Sequence, residues 1–445
     1  MAASAIEAGY DVIVYARRLR DSSLVSAGPG YHIIRVSAPW RLLVPGLRSG
    51  ARKRVAIEAA TARSMVAAER TSAGTKAGGG AADRGLHDVR GGRTLVPSRL
   101  RGTALSPFLR WLKSAARRVL GMNVFLVFPG RPIAWGVALE AAVDPADIWH
   151  GMWAGSLPAL DRLRRRYGGK TVYDSRDVYL HSRQFDRLDR VRRSILLRFE
   201  RRWARASDAV ITVNGAYADI LARTLGVARP EIVMNCPVRY DPPEPRPDLI
   251  REALGLPRRC SVVLYQGNLI TERGIEEAMD AILEVPDAVL VLLGYGSSRD
   301  RFTAQSVQAP FAGRVFVLPP VPPSELLEWT ASSDVMVMAI QPTTLNHRYT
   351  TPQKLFEALA AGVPVVASDL PGMADIVRAT DSGVLCDATS PVSIAAAIRQ
   401  VLEQPPADLA AMRERARRAA HDTYNWDRQV TVLFEVYRRL LDHRA

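Results

Sequence analysis

The second half of the chain, from residue 261 onward, alternates short apolar runs bounded by Gly or Pro with amphipathic segments. This alternation is typical of a parallel β-sheet wrapped by helices. We expect strands at SVVLYQ (261–266), AVLVLL (288–293), RVFVL (314–318), DVMVMAI (334–340), VPVVAS (363–368) and GVLC (383–386). The pattern predicts a Rossmann-like α/β domain, which binds its ligands at the carboxyl ends of its strands.

The first half repeats this pattern less regularly. Its candidate strands are YDVIVYA (10–16), YHIIRVS (31–37), DIWHG (147–151), KTVYDS (170–175), DAVITV (208–213) and EIVMN (231–235). The 445 residues are also too many for one ordinary core, because single cores stop growing near roughly 250 to 300 residues. We therefore expect two Rossmann-like domains.

The chain starts inside a segment with the pattern of a domain's first helix, AASAIEAGYD, and the next strand follows directly. A Rossmann-like domain normally opens with a strand and a Gly-rich turn before that helix. We expect the N-terminal domain to lack its first strand in this chain. Either the true start lies upstream or the domain is truncated.

Composition sets the expected domain boundaries. The segment YDPPEPRPD (240–248) carries four prolines in nine residues, which predicts a stiff linker. It separates an N-terminal domain at 1–239 from a C-terminal domain at 249–425. Residues 426–445 keep helical spacing after the second pattern has finished, and we expect a helix there that packs back on the first domain.

The net charge of +15 is unevenly distributed. Residues 1–240 hold 40 Lys and Arg against 19 Asp and Glu, a net +21, and residues 241–445 hold 20 against 26, a net −6. The first half is therefore suited to an anionic partner, for which nucleic acid and an anionic membrane leaflet are candidates. Because no nucleic-acid-binding motif accompanies the charge, we expect a membrane surface rather than nucleic acid.

Two segments of the first half stand apart from the strand pattern. Residues 71–104 are Gly-rich and basic with almost no core-forming residues, which predicts a disordered insertion. The segment PFLRWLKSAARRVL (107–120) places aromatic and aliphatic residues on one side and Arg or Lys on the other. Such a helix suits a membrane interface, but a helix that faces a protein core gives a similar pattern, and both interpretations stay open.

The cellular compartment follows from what the sequence lacks. No run of 18 uncharged apolar residues is present, and the first residues do not resemble a signal peptide. Cys236, Cys260 and Cys386 are far apart and have no nearby Cys or His, so neither a disulfide framework nor a zinc site is indicated. We expect a cytoplasmic protein that associates peripherally with the inner face of the plasma membrane.

Three loops at the predicted strand ends point at one site. After the first strand, Gly267 allows a ligand to approach the backbone, and Arg273 with Gly274 opens a helix whose amide end suits a phosphate. After the second strand comes GYGSS (294–298), although a lone G-x-G is weak evidence. The third loop follows the fourth strand and leads into the segment YTTPQKLFEALAAGVPVVAS (349–368).

In that segment Pro352 is expected in the first turn of a helix, so Lys354 and Glu357 project from the same face. One interpretation is a surface ion pair, worth only about 0.3–0.5 kcal/mol. At the carboxyl edge of the sheet, however, a cation at a helix start can hold a diphosphate, and a carboxylate one turn later can accept two sugar hydroxyls. We favour the binding site.

On these motifs, residues 255–425 resemble the donor-binding domain of the family 4 glycosyltransferases of the GT-B fold, in which two Rossmann-like domains face each other across a cleft. Weaker similarity covers most of the first half, as in DIWHGMWAGSLPAL and RASDAVITVN. The resemblance implies donor contacts from Gly267, Asn268, Arg273, Gly274, Gly294, Tyr295, Gly296, Pro352, Gln353, Lys354, Leu355 and Glu357. It implies catalytic roles for Arg273, Lys354 and His150.

The sequence departs from the family pattern at four of the motif positions, one of which keeps its charge. Asn268 replaces the first cation of the phosphate-binding G-R-x4-K-G element, and Arg273 replaces its lysine. Tyr349 replaces the first Glu of the E-x7-E element, whereas Glu357 matches the second, which binds the nucleotide ribose. His150 matches the first residue of an H-x-H motif and Met152 replaces the second, so a lone His150 is equally well explained by packing.

We therefore expect a hexosyltransferase-type glycosyltransferase (EC 2.4) that moves a sugar from a nucleotide-diphosphate donor to a lipid-linked or polysaccharide acceptor in cell-envelope polysaccharide biosynthesis. No D-x-D is present, so we expect no metal and no other cofactor, and the leaving diphosphate must be stabilised by Arg273, Lys354 and backbone amides. Retention of configuration is implied by the resemblance alone.

Three alternatives remain. The departures are also compatible with a truncated or non-catalytic sugar-nucleotide-binding protein of the same fold. A nucleic-acid binder would rest on charge alone. A sugar-nucleotide epimerase, which shares the overall fold, would consume the donor without an acceptor.

Overall fold

A computed structural model describes residues 1–17, 25–28, 31–36, 52, 55–56, 59–62, 126–185 and 188–442. The chain divides into two compact units, Met1–Trp149 with Gly155–Gly169, and His150–Ala154 with Lys170–Ala445. The predicted insertion at 71–104 and the amphipathic segment at 107–120 lie outside the described residues. Among the helices that are described, none is long and apolar enough to cross a membrane.

The first unit contains a three-stranded sheet of β1 (Ile13–Arg17), β2 (Val25–Gly28) and β3 (Tyr31–Val36) in the order β1-β3-β2. β1 pairs with β3 in parallel and β2 pairs with β3 antiparallel. The strands predicted at 10–16 and 31–37 are confirmed. β2 was not predicted, because the run VSAG is short, ends in Gly and lacks a clear alternation.

Helices of the first unit are α1 (Ala2–Glu7), α2 (Arg131–Glu140) and α3 (Leu157–Tyr167). α1 confirms the helical start that the sequence predicts. α2 and α3 pack closely at Gly136, where a Cβ atom would lie 3.0 Å from both the Ala159 Cα and the Pro158 carbonyl oxygen. A larger residue at this position would therefore force the two helices apart.

The second unit contains two sheets. The smaller sheet has the strand order β4-β5-β6-β7. Its strands are β4 (Ile148–Met152), of which this unit contains the end, β5 (Lys170–Ser175), β6 (Ala209–Thr212) and β7 (Glu231–Ile232). β5, β6 and β7 pair in parallel. All four predicted strands are confirmed, although β7 is shorter than the predicted 231–235. The two helices of this region are α4 (Arg190–Ala204) and α5 (Gly215–Leu225).

The larger sheet has six parallel strands, and all six predictions are confirmed. They are β8 (Ser261–Asn268), β9 (Ala288–Tyr295), β10 (Val315–Leu318), β11 (Val335–Met338), β12 (Val365–Ser368) and β13 (Gly383–Cys386). Their order, β10-β9-β8-β11-β12-β13, is the doubly wound order of a Rossmann fold. The strand order therefore reverses between β8 and β11, where such sheets bind ligands.

Ten helices in the C-terminal part of the chain complete the described structure. They are α6 (Leu249–Leu254), α7 (Ile275–Leu283), α8 (Arg299–Ser306), α9 (Leu326–Ala331), α10 (Leu345–Tyr349), α11 (Gln353–Ala360), α12 (Pro371–Thr380), α13 (Pro391–Leu402), α14 (Pro406–Asp422) and α15 (Trp426–Asp442).

The six-stranded sheet is buried on both faces. Alternate residues of β8 enter different clusters, with Leu264 packing beside Leu355 in one and Val263 beside Ile275 in the other. Every residue of β11 is buried. This explains why the strands are continuous apolar runs rather than alternating ones, since helices cover both sides of a parallel sheet.

The predicted domains at 1–239 and 249–425 stay a prediction. β5, β6 and β7 lie in the same compact unit as the six-stranded sheet. Within this unit the Val178 amide donates to the Asn346 side chain (2.8 Å), and the Tyr217 hydroxyl donates to the Asn346 carbonyl (2.9 Å). Such contacts connect residues far apart in sequence, so local composition does not predict them.

The proline-rich segment 240–248 is also attached to the second unit. The Arg246 guanidinium donates to the carbonyl oxygen of Ala331 (2.8 Å) at the end of α9, and to that of Ser333. α15 contacts the strand region of the same unit, because the Gln429 side chain accepts a 3.0 Å hydrogen bond from the Met234 amide. The predicted helix at 426–445 is thus present as α15, which ends at Asp442.

Candidate functional site

The candidate site lies at the carboxyl ends of β8 and β11, where the strand order reverses. Gly267, near the end of β8, has φ +121°, a conformation that glycine adopts readily and other residues rarely do. A Cβ atom at this position would lie 3.8 Å from the Lys354 Nζ. The fold therefore brings the lysine at the start of α11 against the exposed backbone at the end of β8.

The Lys354 amine is held in an unusual environment. Its Nζ is buried and has no hydrogen-bond partner in the described structure. It lies 3.7 Å from the centroid of the Tyr265 ring. Burial, reinforced by the positive charge of Arg273 and opposed by the Glu357 carboxylate, lowers the pKa of Lys354 to about 7. A buried amine without an acceptor is suited to meet an anionic ligand.

Glu357 is held by a different neighbour. Its Oε2 accepts a 2.6 Å hydrogen bond from the Gln266 Nε2, and the Gln266 Oε1 accepts a 2.6 Å hydrogen bond from the Thr330 hydroxyl. Burial raises the pKa of Glu357, and the Gln266 hydrogen bond and the Lys354 charge oppose this rise. The surface ion pair between Lys354 and Glu357 is therefore not the arrangement observed.

Arg273 and Gly274 lie between β8 and α7. Arg273 is half-buried, and its positive charge lowers the pKa values of both Lys354 and Asp177. Gly274 has φ +67°. A Cβ atom at this position would overlap the Ala339 carbonyl oxygen, so glycine is required where this loop crosses the end of β11. The loop thus carries a second cation whose charge acts on Lys354.

The loop after β9 is explained in part by packing. A Cβ atom on Gly294 would overlap the Gly267 carbonyl oxygen, and one on Gly296 would overlap that of Leu269 and lie 2.7 Å from the Asn268 Oδ1. The two glycines therefore allow the ends of β8 and β9 to approach each other, which is a backbone contact and not evidence of a ligand. Tyr295 between them is 64% exposed, and Asn268 is also exposed.

The remaining positions around α11 differ in their access. Pro352 caps the helix with an extended conformation and precedes the first helical residue by one. Gln353 is exposed, and its Oε1 accepts a 2.8 Å hydrogen bond from the Asn235 side chain. Leu355 is fully buried in the hydrophobic core. Its side chain cannot contact a donor, so we withdraw it from the predicted binding residues as far as side-chain contacts are concerned.

His150 has other partners. Its Nδ1 lies 2.6 Å from the Tyr437 hydroxyl of α15, and its Nε2 lies 3.7 Å from the Asp174 Oδ2. Its ring also makes an edge-to-face contact with Tyr437. These contacts hold the His150 ring at the end of β4, and its buried Nε2 has no hydrogen-bond partner in the described structure. They do not join it to the cluster of Lys354 and Glu357.

Three residues of this site were missed by the sequence analysis. Tyr265 and Gln266 lie in the predicted strand, and a polar Gln at the end of an otherwise apolar run was the available signal. Asp177 follows β5 and is exposed at the surface; partial desolvation of its carboxylate raises its pKa, and the charges of Arg273 and Arg176 oppose the rise. No local sequence pattern predicts this effect of Arg273 on Asp177, because it depends on how distant parts of the chain fold together.

Sequence comparison finds relatives for the part of the chain that contains this site. Residues 248–421 match the family described as Glycosyl transferases group 1. The D-inositol 3-phosphate glycosyltransferase of Xylanimonas cellulosilytica is 29% identical over 254 residues, 54% of this chain and 58% of that protein. The 2-deoxystreptamine glucosyltransferase of Streptomyces kanamyceticus is 26% identical over 51% of this chain and 59% of that protein. The chain thus spans less than two thirds of the length of these relatives.

Solved structures show the same architecture. The sucrose-phosphate synthase of Thermosynechococcus elongatus matches with a TM-score of 0.64, covering 99% of this chain and 92% of that one at 17% identity. HepE of Anabaena, solved in complex with UDP, matches with a TM-score of 0.56, covering 70% and 81% at 17% identity. At such identities the likeness shows the fold alone. Residues 248–421 therefore match the group 1 glycosyltransferase family, and the chain is similar in fold to these GT-B structures.

Proposed function

We propose that the protein transfers a sugar from a nucleotide-diphosphate donor to an acceptor, without a metal ion and with retention of configuration at the sugar carbon. The family match and the relatives named as glycosyltransferases support the reaction class. The structural neighbour HepE of Anabaena has been solved with UDP and with UDP-glucose, which supports a nucleotide sugar as donor.

One observation carries the proposal: the buried, unpartnered Lys354 Nζ beside the Gly267 backbone. The charge of Arg273, which precedes α7, also acts on this amine, so two basic side chains of this edge of the sheet could serve one anion. A diphosphate would give both cations hydrogen-bond acceptors and would offset the cost of burying the amine. The same two charges would stabilise the negative charge that develops on the leaving diphosphate, which is the electrostatic role that usually dominates catalysis.

Glu357 supports the nucleotide part of the proposal. The Gln266 amide occupies one of its two carboxylate oxygens, and a carboxylate offers further lone pairs for hydroxyl groups. We propose that Glu357 accepts hydrogen bonds from the ribose of the donor. Gly267, Asn268, Gly274, Gly294, Tyr295, Gly296, Pro352 and Gln353 complete the proposed donor surface.

For the acceptor, we propose a lipid-linked or polysaccharide intermediate in cell-envelope biosynthesis at the inner face of the plasma membrane. The support is the charge of residues 1–240, with 40 Lys and Arg against 19 Asp and Glu, which would attract an anionic surface. Cosedimentation with anionic and neutral vesicles tests this part. Equal binding to both kinds of vesicle would remove the electrostatic explanation.

A thermal-shift screen of nucleotide sugars followed by calorimetry tests the donor site. A ligand at 100 times its dissociation constant stabilises a protein by roughly 2.7 kcal/mol, which such a screen detects. We expect Lys354→Ala to abolish the shift and Lys170→Ala, a change of the same residue type outside the site, to preserve it. Unchanged affinity of Lys354→Ala for the bound nucleotide sugar would contradict the assignment.

A non-catalytic sugar-nucleotide-binding protein is the second candidate. It is favoured by the contact of His150 with Tyr437 and by the presence of Met152 where the family motif has a histidine. Turnover distinguishes the two, because a binding protein would retain the nucleotide sugar without releasing nucleoside diphosphate in the presence of membrane or glycan extracts. NMR of the anomeric proton in the product tests retention.

A further inference from the structure

Tyr265 lies under the Lys354 amine and is itself firmly held. Its side chain is 1% exposed, and its hydroxyl donates a 3.0 Å hydrogen bond to the Asn268 carbonyl oxygen. The ring is therefore fixed by the strand β8 at one end and by this hydrogen bond at the other. Its centroid lies 3.7 Å from the Lys354 Nζ, within the range of a cation–π contact.

The ring face is a contact that favours the charged form of this amine. Lys354 Nζ has no hydrogen-bond partner in the described structure, and a cation–π contact is strongest where water is excluded. It opposes burial, which is the main cause that lowers the pKa of Lys354 to about 7. Without the ring, the charged amine would be still less stable.

The charged groups around the amine come from two other positions. Arg273, in the loop before α7, disfavours the ammonium, and Glu357, one turn along α11, favours it. The Glu357 carboxylate accepts a hydrogen bond from Gln266, and the charge of Arg273 also acts on Asp177. A bound diphosphate would add negative charge near the Lys354 amine and would therefore favour its protonated ammonium form.

We propose that Tyr265 is a positioning residue that holds the Lys354 amine beside Gly267, and that this amine takes up one proton when the donor diphosphate binds. The inference rests on the proposed function, because it requires a diphosphate at this site. It adds that donor affinity is linked to pH through one lysine. The donor site thus weakens as pH rises through neutrality, well below the usual titration range of lysine.

The direction of the linkage follows from the protonation states. Below pH 7 the free protein already carries the ammonium, so binding requires no further proton. Above pH 7 the free amine is largely neutral and must be protonated on binding, which lowers the affinity by at most tenfold per pH unit. Between pH 6.5 and 8.5 we expect a decrease of roughly 10- to 30-fold.

Calorimetry with UDP-glucose, and with GDP-mannose as a second probe, tests this inference. The diphosphate of a nucleotide sugar is a diester and does not titrate in this range. Titrations at pH 6.5, 7.5 and 8.5, each in two buffers of different ionisation enthalpy, count the protons bound. For the natural sequence we expect uptake close to one proton at pH 8.5 and little uptake at pH 6.5.

Two substitutions of Tyr265 separate the ring from the hydroxyl. Tyr265→Phe keeps the ring and should keep both the proton uptake and the pH profile. Tyr265→Leu removes the ring and should weaken binding at pH 7.5 by about 3- to 30-fold, with the affinity falling from a lower pH. Thermal melts confirm that each variant is folded. If Tyr265→Leu does not fold, Tyr265→Met, which also removes the ring, takes its place, and the proton count of the natural sequence still tests the linkage.

The outcomes are distinct. Binding with an affinity independent of pH and without proton uptake would overturn this inference and leave the proposed function standing. Equal affinities and pH profiles for Tyr265→Phe and a folded Tyr265→Leu would overturn the role of the ring. Absence of binding by any nucleotide sugar in the screen would overturn the proposed function, and this inference with it.

Discussion

The Gln266 side-chain amide donates a 2.6 Å hydrogen bond to the Glu357 carboxylate, joining the end of β8 to the second turn of α11. Gln266 is 1% exposed and Glu357 is 7% exposed, so the bond lies in a largely dry environment. Thr330 fixes the amide orientation by donating to its carbonyl oxygen. The strand that carries Gly267 and the helix that carries Lys354 are thereby held together.

Replacing this amide tests its support of the carboxylate. Gln266→Leu should raise the pKa of Glu357 further, because the hydrogen bond that opposes burial is lost. We expect about tenfold weaker binding of the nucleotide sugar at pH 7, equivalent to 1.4 kcal/mol. The loss should be larger at pH 6 than at pH 8, since more of the carboxyl is protonated at lower pH. Calorimetry at both pH values measures this difference.

Thr330→Val is the matched control for this change. It removes the donor to Gln266 and leaves the Gln266 hydrogen bond to Glu357 in place. We expect its nucleotide-sugar affinity to stay within about twofold of the natural sequence, with a stability loss of about 1 kcal/mol. Weakening by Thr330→Val equal to that of Gln266→Leu would show that general packing, and not the bond to the carboxylate, sets the affinity.

Lys354→Met should stabilise the protein while abolishing donor binding. Its pKa is lowered to about 7 from a usual value near 10.5, so folding disfavours the ammonium. The folded state binds fewer protons than the unfolded state between these values, and the penalty shrinks as pH rises from 7 toward 10.5. We expect a gain of roughly 1 kcal/mol or more at pH 6 and a smaller gain at pH 9.

Urea unfolding at the two pH values measures this gain. Lys170→Met serves as the control, because it changes the same residue type outside the donor site. A lower free energy of unfolding for Lys354→Met than for the natural sequence at pH 6 would contradict this view. It would mean that burial of the Lys354 ammonium does not destabilise the protein without ligand.

The strands of the larger sheet could be predicted because their signal is local. Runs such as the one that became β9 are apolar throughout, since both of their faces are buried. β2 escaped prediction because its four residues are bounded by a glycine and have no such continuity. Local pattern therefore predicts strands in proportion to their burial.

Part of the site could be predicted because its signal is also local in the sequence. Lys354 and Glu357 stand out because polar residues at a helix start follow an apolar strand. Their partners Tyr265 and Gln266 lie about 90 positions earlier along the chain and are brought to them by the pairing of β8 with β11. Only the three-dimensional fold distinguishes an ion pair on a helix surface from two side chains with separate buried partners.

Asn214 joins the small sheet to the segment before α11. Its Oδ1 accepts the Tyr217 amide (2.7 Å) and caps α5, while its Nδ2 donates to the Tyr349 carbonyl (2.9 Å) and the Thr351 hydroxyl (3.0 Å). Asn214→Asp keeps the cap and replaces the donor by an oxygen that faces the carbonyl. We expect a stability loss of about 1–3 kcal/mol and weaker donor binding, because this segment leads into Lys354.

The reverse exchange at another cap provides the control. Asp189 caps α4 by accepting a 2.9 Å hydrogen bond from the Arg192 amide, and Asp189→Asn retains a suitable acceptor. We expect a stability change within about 0.5 kcal/mol and unchanged donor affinity. Thermal melts and calorimetry on both variants measure stability and donor affinity. If Asn214→Asp were as stable as Asp189→Asn, the hydrogen bond from Asn214 to the Tyr349 carbonyl would contribute nothing to stability.

Two glycines have similar backbone conformations but different surroundings, so substitutions at them distinguish backbone strain from steric overlap. Gly274 has φ +67° and Gly255 has φ +64°. A Cβ atom would overlap the Ala339 carbonyl oxygen at Gly274, whereas nothing lies within 4 Å at Gly255. Gly255→Ala should therefore lose about 1 kcal/mol from backbone conformation alone, and Gly274→Ala should lose clearly more.

The displaced loop at Gly274 also carries Arg273. Gly274→Ala should thus weaken nucleotide-sugar binding in addition to lowering stability, and Gly255→Ala should change stability only. Urea unfolding gives the two free energies, and calorimetry at a temperature where both variants are folded gives the affinities. If the two variants lose equal stability and bind the donor equally well, the close crossing of this loop over β11 does not position Arg273, and that cation must be removed from the proposed diphosphate site.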